Sequence, residues 1–357
     1  MNPFLFGVVY LVPLSVLTGF YLGSWFIFFT PVVVFGIVPL LDLLLKDYTV
    51  NPTSGEEQRL LSDIRYKLLT WFCAPLQCGL VVWACIMVWK TPISRIEFVG
   101  LTVSLGISSG ILGINVAHEL VHRVNRKLES FLGQLMLSTC LYMHWGLEHV
   151  VGHHRSVATP EDPATARLGE GFFLFLPRTI IGGLVNVFQF ERSRLKRNNT
   201  WFFSLKNRFL KYILIESATL VAIYLCFPRS VLILFVGQSL VAICLLEIVN
   251  YIEHYGLLRN QVDGKYESTK PWHSWNSSNL LTNLFLFNLQ RHSDHHYKPG
   301  RRYQILRHFD ESPQLPTGYA GMIWLAVIPP LWKRIMNPRV EQLNNKNAER
   351  SWQGKRS

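Results

Sequence analysis

The chain has 357 residues, of which 49% are hydrophobic and 13% aromatic, while only 16% are charged. Soluble domains usually carry about a quarter charged residues, so this composition excludes an ordinary soluble protein and predicts an all-α integral membrane protein. The net charge of +12 is what basic cytoplasmic loops facing anionic lipid would produce, so no nucleic acid partner is expected.

Six apolar segments have the length and polarity of membrane-spanning helices. The first has no basic residues before it, so we expect it to be retained in the membrane rather than removed as a signal peptide. Residues 1–337 are predicted to form one membrane-embedded domain, and residues 338–357 a polar, mobile tail. The predicted spans are Phe4–Phe20, Leu22–Leu45, Leu68–Trp89, Phe98–Ala117, Tyr212–Phe227 and Val231–Val249.

Lysine and arginine are concentrated in the segments 46–67, 123–208 and 254–357, which hold thirty-one of the thirty-five. Because cytoplasmic segments are enriched in these residues, both termini and these three segments are predicted to be cytoplasmic. Arg192, Arg194, Lys196 and Arg197 could form a basic patch that attracts an acidic protein.

Three further apolar stretches are predicted not to cross the membrane. Leu128–Leu147 is expected to lie in the membrane plane, because a crossing there would separate the histidines before it from those after it. Gly171–Phe190 contains an arginine and is also expected to lie in the plane. Tyr319–Trp332 is too short to cross and contains two consecutive prolines, so an interfacial position is expected.

Nine of the twelve histidines fall in four groups, all on the predicted cytoplasmic side. Within three groups the spacings are three to five residues, which place imidazoles on one side of a helix. One metal ion cannot use nine nitrogens, so the pattern predicts a site for two. Imidazole suits iron, zinc, copper and nickel, and ligand type alone does not choose among them. The nine candidates are His118, His122, His149, His153, His154, His254, His292, His295 and His296.

Four carboxylates stand next to these histidines, namely Glu119, Glu148, Glu253 and Asp294. Metal-binding imidazoles usually donate their second nitrogen to a carboxylate or carbonyl, so we assign these acids a supporting role as a hypothesis. His144, His273 and His308 are isolated and are interpreted as structural.

Three acids fall inside predicted spans, where a charged group is costly and often functional. Asp42 is close enough to the cytoplasmic end to be solvated. Glu216 lies in the fifth predicted span, and Glu247 lies two turns before His254 on the same helix face. Glu247 could support the metal site, carry protons or hold helices together.

His118-Glu119-Leu120-Val121-His122 also matches the HExxH pattern of zinc proteases, in which the glutamate is the general base. That interpretation needs a further ligand and leaves the other histidines unexplained, so it ranks below the dimetal interpretation. A metal-storing or structural membrane protein is a non-enzymatic alternative.

Four segments around these histidines resemble the integral-membrane alkane 1-monooxygenases, which share histidine boxes with membrane fatty-acid desaturases and hydroxylases. The stretches Val157–Ala164 and Tyr297–Gln304 also resemble that family, and the resemblance covers roughly residues 20–335. The four segments are Asn115–Arg123, Glu148–Arg155, Asn250–Arg259 and Leu289–His296.

The resemblance implies a non-haem diiron oxygenase in which the nine histidines bind two iron ions. Its substrates would be O₂ and an n-alkane held by the membrane, and the product would be the 1-alkanol. The implied partners are rubredoxin and an NAD(P)H-dependent rubredoxin reductase. None of the six cysteines forms a Cys-x-x-Cys pair, so another chain must supply the electrons. A diiron fatty-acyl desaturase or hydroxylase is the nearest alternative.

Overall fold

The computed structural model describes the backbone of residues 1–353, and all side chains through residue 345 except that of residue 262. Long apolar helices make up nearly half of the chain. All helices are numbered here in chain order. The long apolar helices are α1 (Pro3–Leu22), α2 (Ser24–Leu44), α4 (Ile64–Lys90), α5 (Arg95–Val121), α8 (Phe172–Arg197), α9 (Arg208–Cys226) and α10 (Arg229–His254).

The remaining elements connect the long helices or follow the last of them. Within residues 1–353, the strand pairing consists of a small antiparallel hairpin, β1 (Gln261–Val262) and β2 (Lys265–Tyr266), and an isolated bridge between Asn276 and Gln314. The remaining α-helices of five residues or more are α3 (Ser54–Ser62), α6 (Lys127–Ser138), α7 (Met143–Leu147), α11 (Leu280–Phe285), α12 (His292–Tyr297), α13 (Tyr319–Ala326) and α14 (Pro329–Gln353).

Seven helices of the described chain are long and apolar enough to cross a membrane. Six of them, α1, α2, α4, α5, α9 and α10, correspond to the six predicted spans. The seventh is α8, where the sequence predicts a helix in the membrane plane, so length and composition do not confirm the count of six.

Two of the spanning helices continue past their predicted ends. We predict that the fourth span ends at Ala117, but α5 runs to Val121. The sixth is predicted to end at Val249, but α10 runs to His254. In both cases the extra turn is polar and buried. The first histidine group and the lone histidine therefore belong to the ends of spanning helices rather than to the loops after them.

The stretch predicted to lie in the plane at Leu128–Leu147 is not a single helix. It is divided into α6 and α7 by a break at Leu141, whose φ is 53°. Neither helix approaches the ~20 residues needed for a crossing. The α7 helix continues without a gap through a π turn at Glu148–His153, which contains two of the histidines.

The C-terminal part packs back onto the ends of the long helices. The apolar stretch at Tyr319–Trp332 is interrupted near its two prolines, where α13 ends and α14 begins. The α14 helix crosses the boundary predicted at residue 337 and runs to Gln353. Residues 354–357 of the predicted mobile tail lie outside the described chain, and the mobility of the tail stays a prediction.

Close packing of α10 against α5 fixes the centre of the bundle. A methyl group at Gly106 of α5 would lie 2.4 Å from Cβ of Val241 on α10, so only a glycine lets the two helices approach this closely. Further along the interface, a methyl group at Gly110 would lie 3.2 Å from Cδ1 of Leu245. The interface aligns the last turns of α5 and α10, which both carry histidines.

Asp42, one of the acids inside a predicted span, is 3% exposed and caps a neighbouring helix. Its carboxylate accepts hydrogen bonds from the backbone N–H groups of Leu281 (2.8 Å) and Thr282 (3.1 Å) and from the Thr282 hydroxyl. These N–H groups open α11 and have no partner within that helix. Asp42 is therefore buried, not solvated as predicted, and it fixes the α2–α11 contact.

Candidate dimetal site

The nine histidines come together from four separate parts of the chain. His118 and His122 lie at the end of α5, and His254 is the last residue of α10. The π turn and the residue after it supply His149, His153 and His154, and α12 supplies the other three. All of them are buried or half-buried. The convergence predicted from the sequence is therefore present in the fold.

The histidines divide into two sets, each with one ring nitrogen per residue within 4.8 Å of the others. We call the first the five-histidine group and the second the four-histidine group. The five-histidine group comprises His118, His122, His149, His154 and His295, and the four-histidine group comprises His153, His254, His292 and His296.

The nitrogens of each group are spaced as ligands of one metal ion would be. In the five-histidine group, Nε2 of His149 lies 3.0 Å from that of His122 and 3.1 Å from that of His154. In the four-histidine group, Nε2 of His292 lies 3.1 Å from that of His254 and 2.9 Å from that of His296. Nitrogens ~2.1 Å from a metal ion and at right angles would be about 3.0 Å apart. The donor sets fit two metal ions.

Burial keeps these imidazoles in the form that binds a metal. Six of the histidines lie outside the spanning helices and have no carboxylate at Nδ1. Burial lowers the pKa of each of them, so these imidazoles are neutral at pH 7 and keep a free nitrogen lone pair. These six are His122, His149, His154, His292, His295 and His296.

The π turn explains how one histidine box serves both groups. In an α-helix, residues five apart diverge in direction, but a π turn has one extra residue per turn. His149 and His154, five apart, consequently meet at Nε2, while His153 faces His254, with ring centres 4.7 Å apart. The last box is also divided, although it lies on an α-helix: His295 joins one group, and His292 and His296, four residues apart, join the other.

A fifth carboxylate, absent from the predicted set, supports a ligand directly. Nδ1 of His153 lies 2.9 Å from the carboxylate of Asp162, which also accepts a hydrogen bond from the Thr165 hydroxyl at 2.6 Å. Burial acts to lower the pKa of His153, but the carboxylates of Asp162, Glu148 and Glu247 together outweigh burial, so the pKa is raised. This contact aims Nε2 of His153 at the four-histidine group. Asp162 follows its histidine by nine residues in an irregular loop, so sequence spacing gave no signal for it.

Among the four predicted acids, Glu253 touches a candidate ligand. Its Oε2 lies 3.1 Å from Nε2 of His292, and its Oε1 accepts a hydrogen bond from the Tyr319 hydroxyl at 2.6 Å. The carboxylate thus faces the metal-binding nitrogen of His292 rather than Nδ1. Glu253 therefore lies beside the four-histidine group itself. The sequence pattern instead predicts that it accepts a hydrogen bond from the second ring nitrogen of a metal-binding histidine.

Glu119 and Asp294 bond to arginines and connect two histidine-bearing helices. Glu119 accepts a hydrogen bond from Arg123 at 2.6 Å, and Arg123 also donates to the carbonyl of Arg301 at 2.8 Å. The Arg301 side chain in turn donates to Asp294 at 2.8 Å. This network ties the end of α5 to α12, so the two acids position the histidines through the backbone. A direct contact with a ligand ring stays a prediction for both.

Glu148 and the acids inside the spans have different surroundings. Burial and the Asp162 carboxylate raise the pKa of Glu148 to about 8. Glu216 accepts a hydrogen bond from the backbone N–H of Met143 at 2.7 Å and so holds the start of α7 against α9. Glu247 lies in a cluster of polar side chains next to the site.

The other three histidines lie outside both groups. Nδ1 of His273 accepts a hydrogen bond from the backbone N–H of Lys270 at 3.0 Å, and His308 bonds to the Ser278 hydroxyl at 2.8 Å. The His144 ring packs edge-on against Tyr142. All six cysteines are free, as the sequence predicts.

An apolar cavity of roughly 90 Å³ leads from the middle of the bundle to the histidines. Its walls come from α2, α5, α10, α11 and α13, and they include Phe35, Ile111 and Leu245. His118 and His149 of the five-histidine group and His292 of the four-histidine group line one end. An apolar molecule in this cavity would therefore meet both groups.

Comparison with known proteins agrees with this geometry. Residues 94–326 match the fatty acid desaturase family. Alkane 1-monooxygenase 2 of Pseudomonas aeruginosa is 44% identical over 311 residues, which are 86% of this chain and 82% of the relative. Alkane 1-monooxygenase of Acinetobacter baylyi is also 44% identical, over 87% of this chain and 76% of the relative. Alkane 1-monooxygenase 1 of P. aeruginosa is 43% identical, over 87% and 81%.

The contact between Asp162 and His153 can be tested by Asp162→Asn. The amide cannot hold the imidazole in the same orientation and charge state, so we expect the affinity of the four-histidine group for metal to fall on the order of 10–100-fold. Metal titration of the purified protein would measure the change. Glu161→Gln, at the exposed neighbouring residue, is the matched control, and equal affinities in the two variants would contradict the supporting role.

Proposed function

The chain belongs to the fatty acid desaturase family and, within it, to the alkane 1-monooxygenases, and from that premise we propose that it hydroxylates the terminal methyl group of n-alkanes. One oxygen atom of O₂ would enter the alkane and the other would leave as water. The observation that carries the proposal is the apolar cavity, because it ends on histidines of both groups.

Two iron ions are the proposed cofactors, one held by the five-histidine group and one by the four-histidine group. Membership of a histidine-box family supports iron, since imidazole ligands alone also suit zinc and copper. When bound, the iron pair would supply the reducing equivalents and the binding site for O₂. The protein's part is to hold the nitrogens, admit the hydrocarbon and control water and protons.

The cavity walls support an alkane rather than a polar substrate. An alkane has no group that can form a hydrogen bond, so its orientation depends on the shape of the cavity, and burial of each CH₂ contributes ~0.8 kcal/mol. Side chains such as Val34, Leu246 and Ile323 offer such a surface. The terminal methyl would meet the end lined by His118, His149 and His292.

Neither alternative enzyme is favoured by a feature of the site. In an HExxH protease the glutamate must be free to act on metal-bound water, but Glu119 is bonded to Arg123 at 2.6 Å. A fatty-acyl desaturase would need to place a carboxyl or thioester head group, whereas most side chains that line the cavity from α2, α5 and α10 are apolar.

We propose six membrane crossings, with both termini and the site on the cytoplasmic side. His118 and His254 lie at the C-terminal ends of α5 and α10, and their groups adjoin, so an even number of crossings must separate those ends. The α9 and α10 helices supply two, and α8 as a third would place the two ends on opposite sides. The α8 helix is therefore assigned to the membrane plane, as its sequence suggested.

Rubredoxin, reduced by an NAD(P)H-dependent reductase, is the proposed electron donor. Three residues of the predicted basic patch, Arg192, Lys196 and Arg197, are exposed at the end of α8. Arg194 is not free to join them, because it pairs with Glu191 at 2.7 Å. The remaining three cations support long-range attraction of an acidic carrier.

The proposal is tested by counting metals and then supplying substrate. We expect two irons per purified chain, and formation of 1-octanol from octane when O₂, reduced rubredoxin and its reductase are present. Iron and zinc would be counted separately and the products identified by mass spectrometry. One zinc without iron, or an alkene as the product, would contradict the proposed function.

The length of the cavity predicts a limit on substrate length. Ile111 lies seven residues before His118 on α5, about 10 Å along the helix axis, and lines the cavity. Ile111→Phe should shorten the space beyond the reacting methyl, so the longest alkanes lose turnover while the shortest keep it. Turnover across an alkane series would show this, and a uniform loss at all lengths would contradict it. Ile107→Phe, one turn away and outside the cavity lining, is the control for general overpacking.

A further inference from the structure

A second cavity, of about 10 Å³, lies beside the apolar one. We call it the polar cavity because two carboxyl groups line it, although part of its wall is apolar. Its walls include Tyr142, Glu148, Thr179 and Glu247. Asn250 and Trp145 line both cavities and therefore form a shared wall. The Trp145 ring stacks on His149, with centres 4.7 Å apart, so this wall stands next to the five-histidine group.

Glu247 is at the centre of the polar cluster and is 1% exposed. Its Oε1 accepts a hydrogen bond from the Tyr142 hydroxyl at 2.9 Å. Its Oε2 accepts hydrogen bonds from the Thr179 hydroxyl at 3.0 Å and from Nδ2 of Asn250 at 3.1 Å. All three donors are neutral, so this carboxyl group is not one half of an ion pair, and ion pairing does not explain its place in a spanning helix.

The outer side of the polar cavity approaches solvent through α8. The side chain of Glu148 lies near Asn186, a partly exposed residue of α8. Oε1 of Glu148 is buried and has no hydrogen-bond partner within the described chain. Such an oxygen, in a cavity with room for about one water molecule, offers that water an acceptor.

The proposed reaction requires protons at a place that is otherwise apolar. Hydroxylation converts RH, O₂, two electrons and two protons into ROH and H₂O. The electrons come one at a time from the reduced carrier protein, and the hydrocarbon fills the apolar cavity. The two protons therefore need a polar route through the cavity wall, and Asn250 supplies a polar side chain in the wall that also lines the polar cavity.

We propose that Glu247 is the proton carrier between the polar cavity and the oxygen-reducing end of the apolar cavity, with Asn250 positioning the last transfer. This inference rests on the proposed function. The Glu247 carboxylate takes a proton from water in the polar cavity and releases it towards the reduced oxygen. It does so twice per turnover, and Glu247 returns to its starting form each time.

The test compares wild type with Glu247→Gln, whose amide has nearly the same shape but cannot carry a proton. We expect kcat for octane to fall on the order of 100-fold and the solvent isotope effect in D₂O to rise. Iron content, unfolding temperature and KM for octane should stay at wild-type values. Glu247→Asp should recover part of the rate, since it keeps an acid.

Two further variants make the outcome decisive. Glu216→Gln changes another buried acid of a spanning helix, one that bonds to a backbone N–H, and should leave the isotope effect unchanged. Asn250→Leu should give the same slow turnover as Glu247→Gln, and it decides the matter if that variant does not fold.

Wild-type kcat and isotope effect in a folded Glu247→Gln or Asn250→Leu protein would overturn the assignment. A loss of turnover that merely follows loss of iron or of stability would overturn it as well. Failure of the wild type to hydroxylate octane would instead refute the proposed function.

Discussion

The convergence of nine imidazoles onto two points determines how the rest of the structure is built. Nitrogens about 3 Å apart, such as those of His149 and His154, gain little from one another without a cation between them. Metal binding in such a site is coupled to folding, because the ligands are assembled only in the native state. Metal binding therefore requires fixed relative positions of the ends of α5 and α10, the π turn and α12. Supporting contacts, including Arg123 with the Arg301 carbonyl, position those elements from outside.

The histidines and the spanning helices could be predicted because their signals are local. Long apolar runs and spacings of three to five residues depend only on helix geometry. The division of the histidines into five and four could not be predicted, since it depends on a π turn that regular helix spacing does not reveal. Asp162 was missed because a loop brings it to His153. Glu119 has the sequence position of the general base in the HExxH pattern, yet its carboxylate is paired with Arg123.

The site has an apolar cavity on one side and a cluster of polar side chains on the other. This arrangement explains the position of each acid inside a spanning helix. On one side is a cavity for a hydrocarbon, and on the other a cluster around Glu247 that can hold water. Asp42 and Glu216 accept hydrogen bonds from backbone N–H groups at the starts of α11 and α7, so their role is to fix helices. The donors to Glu247 are side chains of three different elements, an arrangement that suits a group exchanging a proton.

The assignment of nine histidines to two metal positions is tested most directly at His295 and His296, which are adjacent in sequence but belong to different groups. The measurement is the Mössbauer spectrum of protein loaded with ⁵⁷Fe, in the wild type and in His295→Ala and His296→Ala. We expect two distinct iron signals in the wild type, with each variant weakening a different one. Loss of the same signal in both variants, or a single signal in the wild type, would contradict the assignment.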